Sequence, residues 1–481
     1  MKQLEISIDP QSQTSLGQQL YEIVRRQISD GAVKPGDKLT SSRSLAKQLG
    51  ISRPTVELCY EQLIAEGYLE ARHGSGTYVA EFSQVKQRGA KTRFPLTELA
   101  RYLDKKLAAG KAPADAAEYE YPFFCWLPAV EQFPAALWSK ILARHGKSLD
   151  AEAQGAAGHQ AAAGMLPLRQ AVAHMVKRFR DIDCSADQVV ITFGLNQGLE
   201  LAARLHLQAG QSAAIENPGY PQAAEIFQAY GAHLLHLDVD EEGLNFAAVR
   251  RQANKPSLFY LTPSHQFPTG AVMSFTRRTE LLELANTLNA VIFEDDFDSE
   301  FRYKGRPIPA LKSLDRQDRV IYAGTLNQVM LPSLGVGYLI VPEGLVGLYK
   351  QARYLAGAQL PGQMQLALAE FIGDGHLDKH VKKLRLVYAQ RREALIDALE
   401  KYFGEKAEVS GDQAGVSLVV KFHTRKSDQR FCMEAARLGV GITPLSAFMS
   451  QGESQGAYLM GFANLEADQI EQGIKRLASL K

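Results

Sequence analysis

Residues whose types could do chemistry gather in three short stretches of this 481-residue chain. The first is "LTSSRSLAKQLGISRPT", Leu39 to Thr55. Its hydroxyls and arginines suit hydrogen bonds to phosphates and base edges rather than covalent work. The second is the acidic run "EDDFDSEFRY", Glu294 to Tyr303. The third is "GTLNQVMLPSLGVGY", Gly324 to Tyr338, a turn-rich loop with Gln328 inside it. An amide nitrogen is delocalised and does not titrate near neutral pH. Gln328 therefore can neither condense with a carbonyl nor shuttle a proton.

Composition limits what these stretches can serve. The chain is too long for one ordinary core, so two or more domains are expected. It is 46% hydrophobic and 22% charged, normal for a soluble globular protein. The net charge of +1 excludes a polycation, so nucleic-acid binding has to come from a local patch. Cys59, Cys125, Cys184 and Cys432 lie far apart, with no CxxC pair and no metal-ligand spacing. No apolar run is long enough to span a bilayer, and the N-terminus lacks a signal-peptide core. A cytoplasmic protein without metal, and without a membrane partner, is the expectation.

The elements that must position the first stretch can be read from its caps. Ser41 or Ser42 can cap a short helix that Gly50 ends. Ser52 can cap the next, with Pro54 in its first turn, where a missing N–H costs nothing. Two helices joined so tightly make a helix-turn-helix that presents Ser52, Arg53 and Thr55, with Arg43 on the preceding helix in reach of phosphate or base. "YLEARHGSGTYVA" then reads as a two-stranded wing whose tip is His73, Gly74, Ser75, Gly76 and Thr77. This block occupies 1–80. A basic linker follows over 81–118, with Lys86, Arg88, Lys91, Arg93, Arg101, Lys105, Lys106 and Lys111 and one helical piece near Leu96–Leu107. From 119 to 481 strands alternate with helices. "QVVITFG", "SAAIENPG", "SLFYLTPS", "AVIFEDD", "VIYAGT" and "GYLIVP" are short apolar runs bounded by turns, which predicts an α/β domain with a mostly parallel sheet to about 343. Long amphipathic helices and a final strand–helix pair over 344–481 predict a smaller α+β lobe.

The first eighty residues resemble the winged helix of the GntR family of bacterial regulators; the usual "LPSSR" stands here as "LTSSR", with Thr40 for proline. "ENPGY" (Glu216–Tyr220), "TPSHQFPTG" (Thr262–Gly270) and "EDDFDSEFRY" resemble the large domain of fold-type I aminotransferases. Together with the domain order they resemble the MocR subfamily, in which that domain follows a GntR winged helix. The resemblance implies double-stranded operator DNA as a partner, a homodimer, and a site for pyridoxal phosphate (PLP) built on a lysine in a "GT-x-SK" loop. Gln328 stands in that lysine's place and Asn327 in the serine's. Gly335 replaces an arginine that holds the cofactor phosphate, Phe297 a tyrosine that contacts the ring oxygen, and Leu459 an arginine that clamps a substrate carboxylate. "GLNQG" (Gly194–Gly198), with Asn196, departs from the usual phosphate-binding turn.

Asp295 matches the carboxylate that meets the pyridinium nitrogen; the alternative is a buried strand-end carboxylate satisfied by backbone N–H groups. His265 and Gln266 line a pocket or serve loop hydrogen bonding, and Tyr220 stacks on a planar ligand or packs a wall. Contacts to a charged group are worth about 1.5–3 kcal/mol each, so losing several weakens cofactor binding by orders of magnitude. The resemblance therefore implies a regulator, not an enzyme, with no catalytic residue and no covalent PLP expected, a dimerising domain and an unknown small-molecule effector. Two alternatives stand: PLP bound non-covalently through Asp295 and Tyr220, or an enzyme or PLP switch using another lysine, of which Lys304 and Lys312 are nearest in sequence.

Overall fold

The computed structural model describes residues 6–81, 97–108, 116–147, 161–303, 305, 308–357, 360–450, 452 and 454–480. Lys86, Arg88, Lys91, Arg93, Lys111 and Lys304 lie outside the described residues. The chain divides into two compact units, Met1–Pro95 and Leu96–Lys481.

The first unit holds α1 (Leu16–Ser29), α2 (Ser42–Leu49) and α3 (Arg53–Ala65), then β1 (Leu69–Arg72) and β2 (Gly76–Val79). Of the two candidate caps for α2 it is Ser41 whose hydroxyl accepts from the Ser44 N–H, at 3.2 Å. Gly50 ends that helix at φ 68°, the left-handed conformation a glycine adopts without strain. Ser52 caps α3 through the Thr55 N–H, at 3.3 Å. The helices bury Leu20, Val24, Ile28, Leu45, Val56 and Leu63 against Leu69 and Val79 of the wing. β1 and β2 pair antiparallel from Leu69↔Val79 to Arg72↔Gly76.

In the second unit a helix, Glu98–Ala108, precedes the short strand β3 (Tyr121–Pro122). An eight-stranded sheet follows: β4 (Val189–Phe193), β5 (Ser212–Asn217), β6 (His233–Asp240), β7 (Gly243–Leu244), β8 (Pro256–Leu261), β9 (Val291–Asp296), β10 (Val320–Thr325) and β11 (Val336–Ile340). The strand order is β4-β11-β10-β9-β8-β5-β6-β7. The strands from β10 to β6 run parallel, while β11 lies antiparallel between β4 and β10. Strands β4, β5 and β8 to β11 are buried nearly throughout, which is why they read as apolar runs, whereas β6 toward the edge is largely exposed. Ile215, Tyr260, Phe293 and Leu339 belong to one layer, with the helix Gly194–His206; Ala214, Phe259, Leu261 and Ile292 belong to the other, with the helix Phe275–Leu288.

The smaller lobe begins with the helices Val346–Ala356 and Gly362–Gly373 and the 28-residue helix His376–Phe403. Its sheet contains β12 (Ala407–Ser410), β13 (Ser417–Phe422), β15 (Thr443–Pro444) and β16 (Ala457–Gly461), in the order β12-β13-β16-β15. β14 (Val440–Gly441) instead pairs with β3, tying the start of this unit to its end. No helix of the described residues is long and apolar enough to cross a membrane.

Candidate functional sites: a winged-helix surface and a strand-end cluster

The start of α3 carries Ser52, Arg53 and Thr55 on its exposed or half-exposed side. The hydroxyls of Ser52 and Thr55 share a hydrogen bond of 2.7 Å. Arg53 Nε donates to Glu57 Oε1 at 2.8 Å, an exposed pair one turn along the helix. Ser42 also donates to that oxygen, at 3.2 Å, and Arg43 is exposed. At the wing tip, His73, Gly74, Ser75 and Gly76 are exposed and Thr77 is half-buried. The Ser75 N–H donates to the Arg72 carbonyl at 2.9 Å to close the turn, where Gly74 has φ 70°.

Sequence reasoning missed a second cationic group at the wing. The Arg72 guanidinium lies 4.5 Å from the Tyr78 ring centre, and the Lys38 ammonium 5.7 Å from it. Ser75 and Tyr78 hydroxyls share a 2.6 Å hydrogen bond. That bond, and then the nearby Lys38, lowers the phenol's pKa. Period-two alternation along β2, which puts Tyr78 on the face of Gly76, was the available signal.

The second constellation sits where β5, β8, β9 and β10 end, the usual place for function in a parallel sheet. Asp295 is buried at the end of β9, and burial pushes its pKa up to about 7. Its partner is the Tyr260 hydroxyl, which donates to Asp295 Oδ2 at 2.6 Å. The partner is thus a side chain from the neighbouring strand rather than the backbone N–H groups expected. Glu216 ends β5. One of its oxygens, Oε2, accepts from the Thr262 N–H at 3.1 Å, the Thr262 hydroxyl at 2.7 Å and Gln266 Nε2 at 3.1 Å. Oε1 is buried with no hydrogen-bond partner. Burial raises the Glu216 pKa to about 8. Gln266 is a loop organiser: besides Glu216, it bonds the Pro218 and Phe267 carbonyls and accepts from Thr269. His265 is buried against Gly415, and burial drops its pKa to about 4.

Three of the singled-out residues meet in one apolar cluster. Tyr220 and Phe297 pack against Cys125, Phe267, Val419, Ala457 and Leu459, with Phe448 closing over them. Ring centres lie 5.2 Å apart for Phe267–Phe297 and 5.0 Å for Phe267–Phe448, both edge-on. Tyr220 stacks toward Tyr260 at 6.4 Å. Its hydroxyl donates to Asn196 Oδ1 at 3.5 Å, which links the cluster to the first turn of the helix Gly194–His206. Gln328 lies in the turn after β10, and its Oε1, like Asn327 Oδ1, is buried without a hydrogen-bond partner. Gly335 has φ 60°, and a Cβ there would stand 3.2 Å from the Phe193 ring.

Sequence reasoning also missed how the acidic run is tolerated. Arg180, from the helix Leu166–Arg180, pairs with Asp296 at 2.6 Å in the buried interior, and the Tyr322 hydroxyl donates to the same carboxylate. Arg180 also donates to Ser264 Oγ at 2.6 Å. An acidic run demands cations, but nothing local in the sequence says which arginine supplies one.

The model for aminotransferase class I and II matches residues 142–477, and that for bacterial regulatory proteins of the gntR family matches residues 16–79. The probable rhizopine catabolism regulatory protein MocR of Rhizobium meliloti is 31% identical over 98% of this chain and 95% of its own length. The HTH-type pyridoxine biosynthesis transcriptional regulator PdxR of Corynebacterium glutamicum is 30% identical, covering 97% of this chain and 96% of that protein. Among solved structures, an archaeal alanine:glyoxylate aminotransferase superposes with a TM-score of 0.69 at 26% identity, over 80% of this chain and 95% of its own. A winged helix of the GntR type followed by a fold-type I aminotransferase-like domain, matched along nearly the whole length of such relatives, places this chain in the MocR family of GntR-type transcriptional regulators.

Proposed function

We propose that this regulator binds operator DNA as a homodimer through Arg43, Ser52, Arg53, Thr55 and the wing tip His73–Thr77, and that its aminotransferase-like domain is catalytically silent. That domain then serves as dimer scaffold and effector-binding module. The observation that carries the reading is the apolar cluster of Tyr220, Phe267, Phe297, Phe448 and Leu459 at the strand ends. Leu459, which stands where the resemblance implies a carboxylate-clamping arginine, and Phe297, which stands where it implies a tyrosine, both lie in that cluster, and neither side chain can hold an anion.

PLP would ask for three things: an amine to form an imine, a cation for the phosphate and an acceptor for the ring nitrogen. Gln328 has no amine chemistry. Gly335 has no charge, and Phe193 stands where a longer side chain would leave its backbone. Asp295 could still accept from a ring nitrogen, although its carboxyl already holds the Tyr260 hydroxyl. Lys312, one of the two alternative lysines, is committed to Asp315 at 3.2 Å. Gln328, Gly335 and Lys312 thus supply neither the imine nor the phosphate contact that a lysine-linked, phosphorylated cofactor needs. A second reading keeps Asp295, beside the Tyr260 hydroxyl, and the Tyr220 ring as contacts for non-covalent binding of a planar ligand.

The purified protein is expected to be colourless, without an aldimine absorbance band. Added PLP followed by borohydride should leave no stoichiometric adduct on the large domain. A trapped adduct on any of its lysines would overturn the reading. Saturable PLP binding without an adduct would favour the non-covalent alternative.

A further inference from the structure

The outward side of α3 carries Arg53, Pro54, Leu58, Glu61 and Gln62, with Glu57 half-buried among them. Those residues hold one cation and two carboxylates. A helix that only gripped phosphate would show the opposite balance, because phosphate oxygens call for cations and N–H donors. Glu57 stands one turn beyond Arg53 and so on the same side of the helix. A carboxylate there repels the phosphates, and only a base edge can offer it a donor.

Glu57 is also held in place. Its Oε1 accepts from Arg53 Nε at 2.8 Å and from the Ser42 hydroxyl at 3.2 Å. Ser42 is the first residue of α2, so the carboxylate is tied to both helices of the helix-turn-helix. When Arg53 turns to DNA, Ser42 still holds Oε1. Both bonds end on that one oxygen, and Oε2 accepts none among the described residues. The side chain stays 39% exposed, so Oε2 is open to a ligand while Oε1 is anchored.

We propose that Glu57 is a specificity-determining residue, whose Oε2 accepts a hydrogen bond from the exocyclic amine of a cytosine in the major groove. The proposal rests on the reading of α3 as the DNA reader. A carboxylate is an acceptor only. Of the base edges in that groove, cytosine offers it N4–H₂, whereas guanine O6 and thymine O4 would face it oxygen to oxygen. Adenine offers an amine with the N7 acceptor beside it, and so ranks second. Glu57 thus selects by attraction to one base and by repulsion from two others.

The test starts with a random-sequence duplex pool, from which the full-length protein selects its preferred site. Every base pair of that site is then changed in turn, and binding is measured at fixed salt for the parent, Glu57→Ala, Glu57→Gln and Arg53→Ala. Thermal melting checks that each variant is folded. The parent should prefer cytosine at one position of each half-site by about tenfold or more. Glu57→Ala should reduce that preference to about twofold or less and should bind unrelated duplex more tightly, since a charge that repels phosphate is gone. Glu57→Gln should shift the preference toward adenine, whose N6 and N7 suit an amide. Arg53→Ala should relax a different position. An unchanged base profile in folded Glu57→Ala would overturn the proposal. So would loss of the same position in Glu57→Ala and Arg53→Ala, because Glu57 would then act only through the arginine. If Arg53→Ala alters the profile and Glu57→Ala does not, only this proposal falls. If neither does, the reading of α3 as the DNA reader falls with it.

Discussion

At position 335 the backbone as well as the side chain stands against a phosphate clamp. Gly335 sits at φ 60°, where L residues are crowded, and its missing Cβ would lie 3.2 Å from the Phe193 ring. An L residue in the left-handed region costs about 1–2 kcal/mol. Gly335→Arg should therefore lower the melting midpoint rather than rebuild a site; an unchanged midpoint would refute this. For the same reason Gln328→Lys alone should give no stoichiometric borohydride-trapped PLP, because it restores the amine and no phosphate contact. The arginines of the winged helix differ from each other. Arg43 is exposed, whereas Arg53 is held by Glu57 and has to exchange that partner for DNA. Replacing a base-reading arginine costs about 1–3 kcal/mol. Arg43→Ala with Arg53→Ala should weaken operator binding accordingly in a salt-controlled shift assay, and unaltered binding would mean the reading surface lies elsewhere.

Elements were more legible than their neighbours. Caps such as Ser52 and Gly50 act within one turn, so the helices of the winged block could be placed from sequence, with only Ser41 against Ser42 left open. The apolar runs marked β4, β5, β8, β9, β10 and β11, because both faces of these strands are covered. The antiparallel insertion of β11 between β4 and β10 was not legible, since strand order is fixed by contacts distant in sequence. Tyr260 beside Asp295 and Arg180 beside Asp296 were hidden for that same reason. These strand-end groups make stability depend on pH. The Glu216 carboxyl stays neutral in the folded chain to about pH 8 but ionises around its ordinary 4.5 once unfolded. Between those values the unfolded chain holds fewer protons, so stability is lost as pH rises and levels off above the folded value. Asp295 acts likewise up to about 7. His206, His265 and His380 act oppositely: their pKa values fall from 6.5 to about 4 on burial, so stability is lost as pH drops through that range. Glu216→Gln removes one alkaline-side contribution, on the order of a few kcal/mol at most. Its melting midpoint should fall less than the parent's between about pH 5 and pH 8. Parallel curves would show that Glu216 is ionised in the folded chain.

For the whole molecule, the retained aminotransferase frame makes physical sense if a pair of winged helices must be held together. The helix Val346–Ala356 leaves Leu348 56% and Leu355 69% exposed. They are two turns apart and so on one face, and Tyr354 next to them is also exposed. An apolar stripe of this kind on a surface helix suits burial against a second copy. Light scattering at micromolar concentration should therefore report a dimer, and a charge in the stripe should open it. Leu355→Asp is the variant of choice, because an exposed position tolerates it without disturbing the core. Its melting transition should persist while its mass halves. Two linked DNA readers gain from effective concentration, so separating them should weaken binding to a two-half-site operator by about 10²–10⁴-fold and leave binding to a single half-site nearly unchanged. A parent protein that is already monomeric at that concentration would remove the dimer from the mechanism. A Leu355→Asp protein that stays dimeric would place the interface on another face.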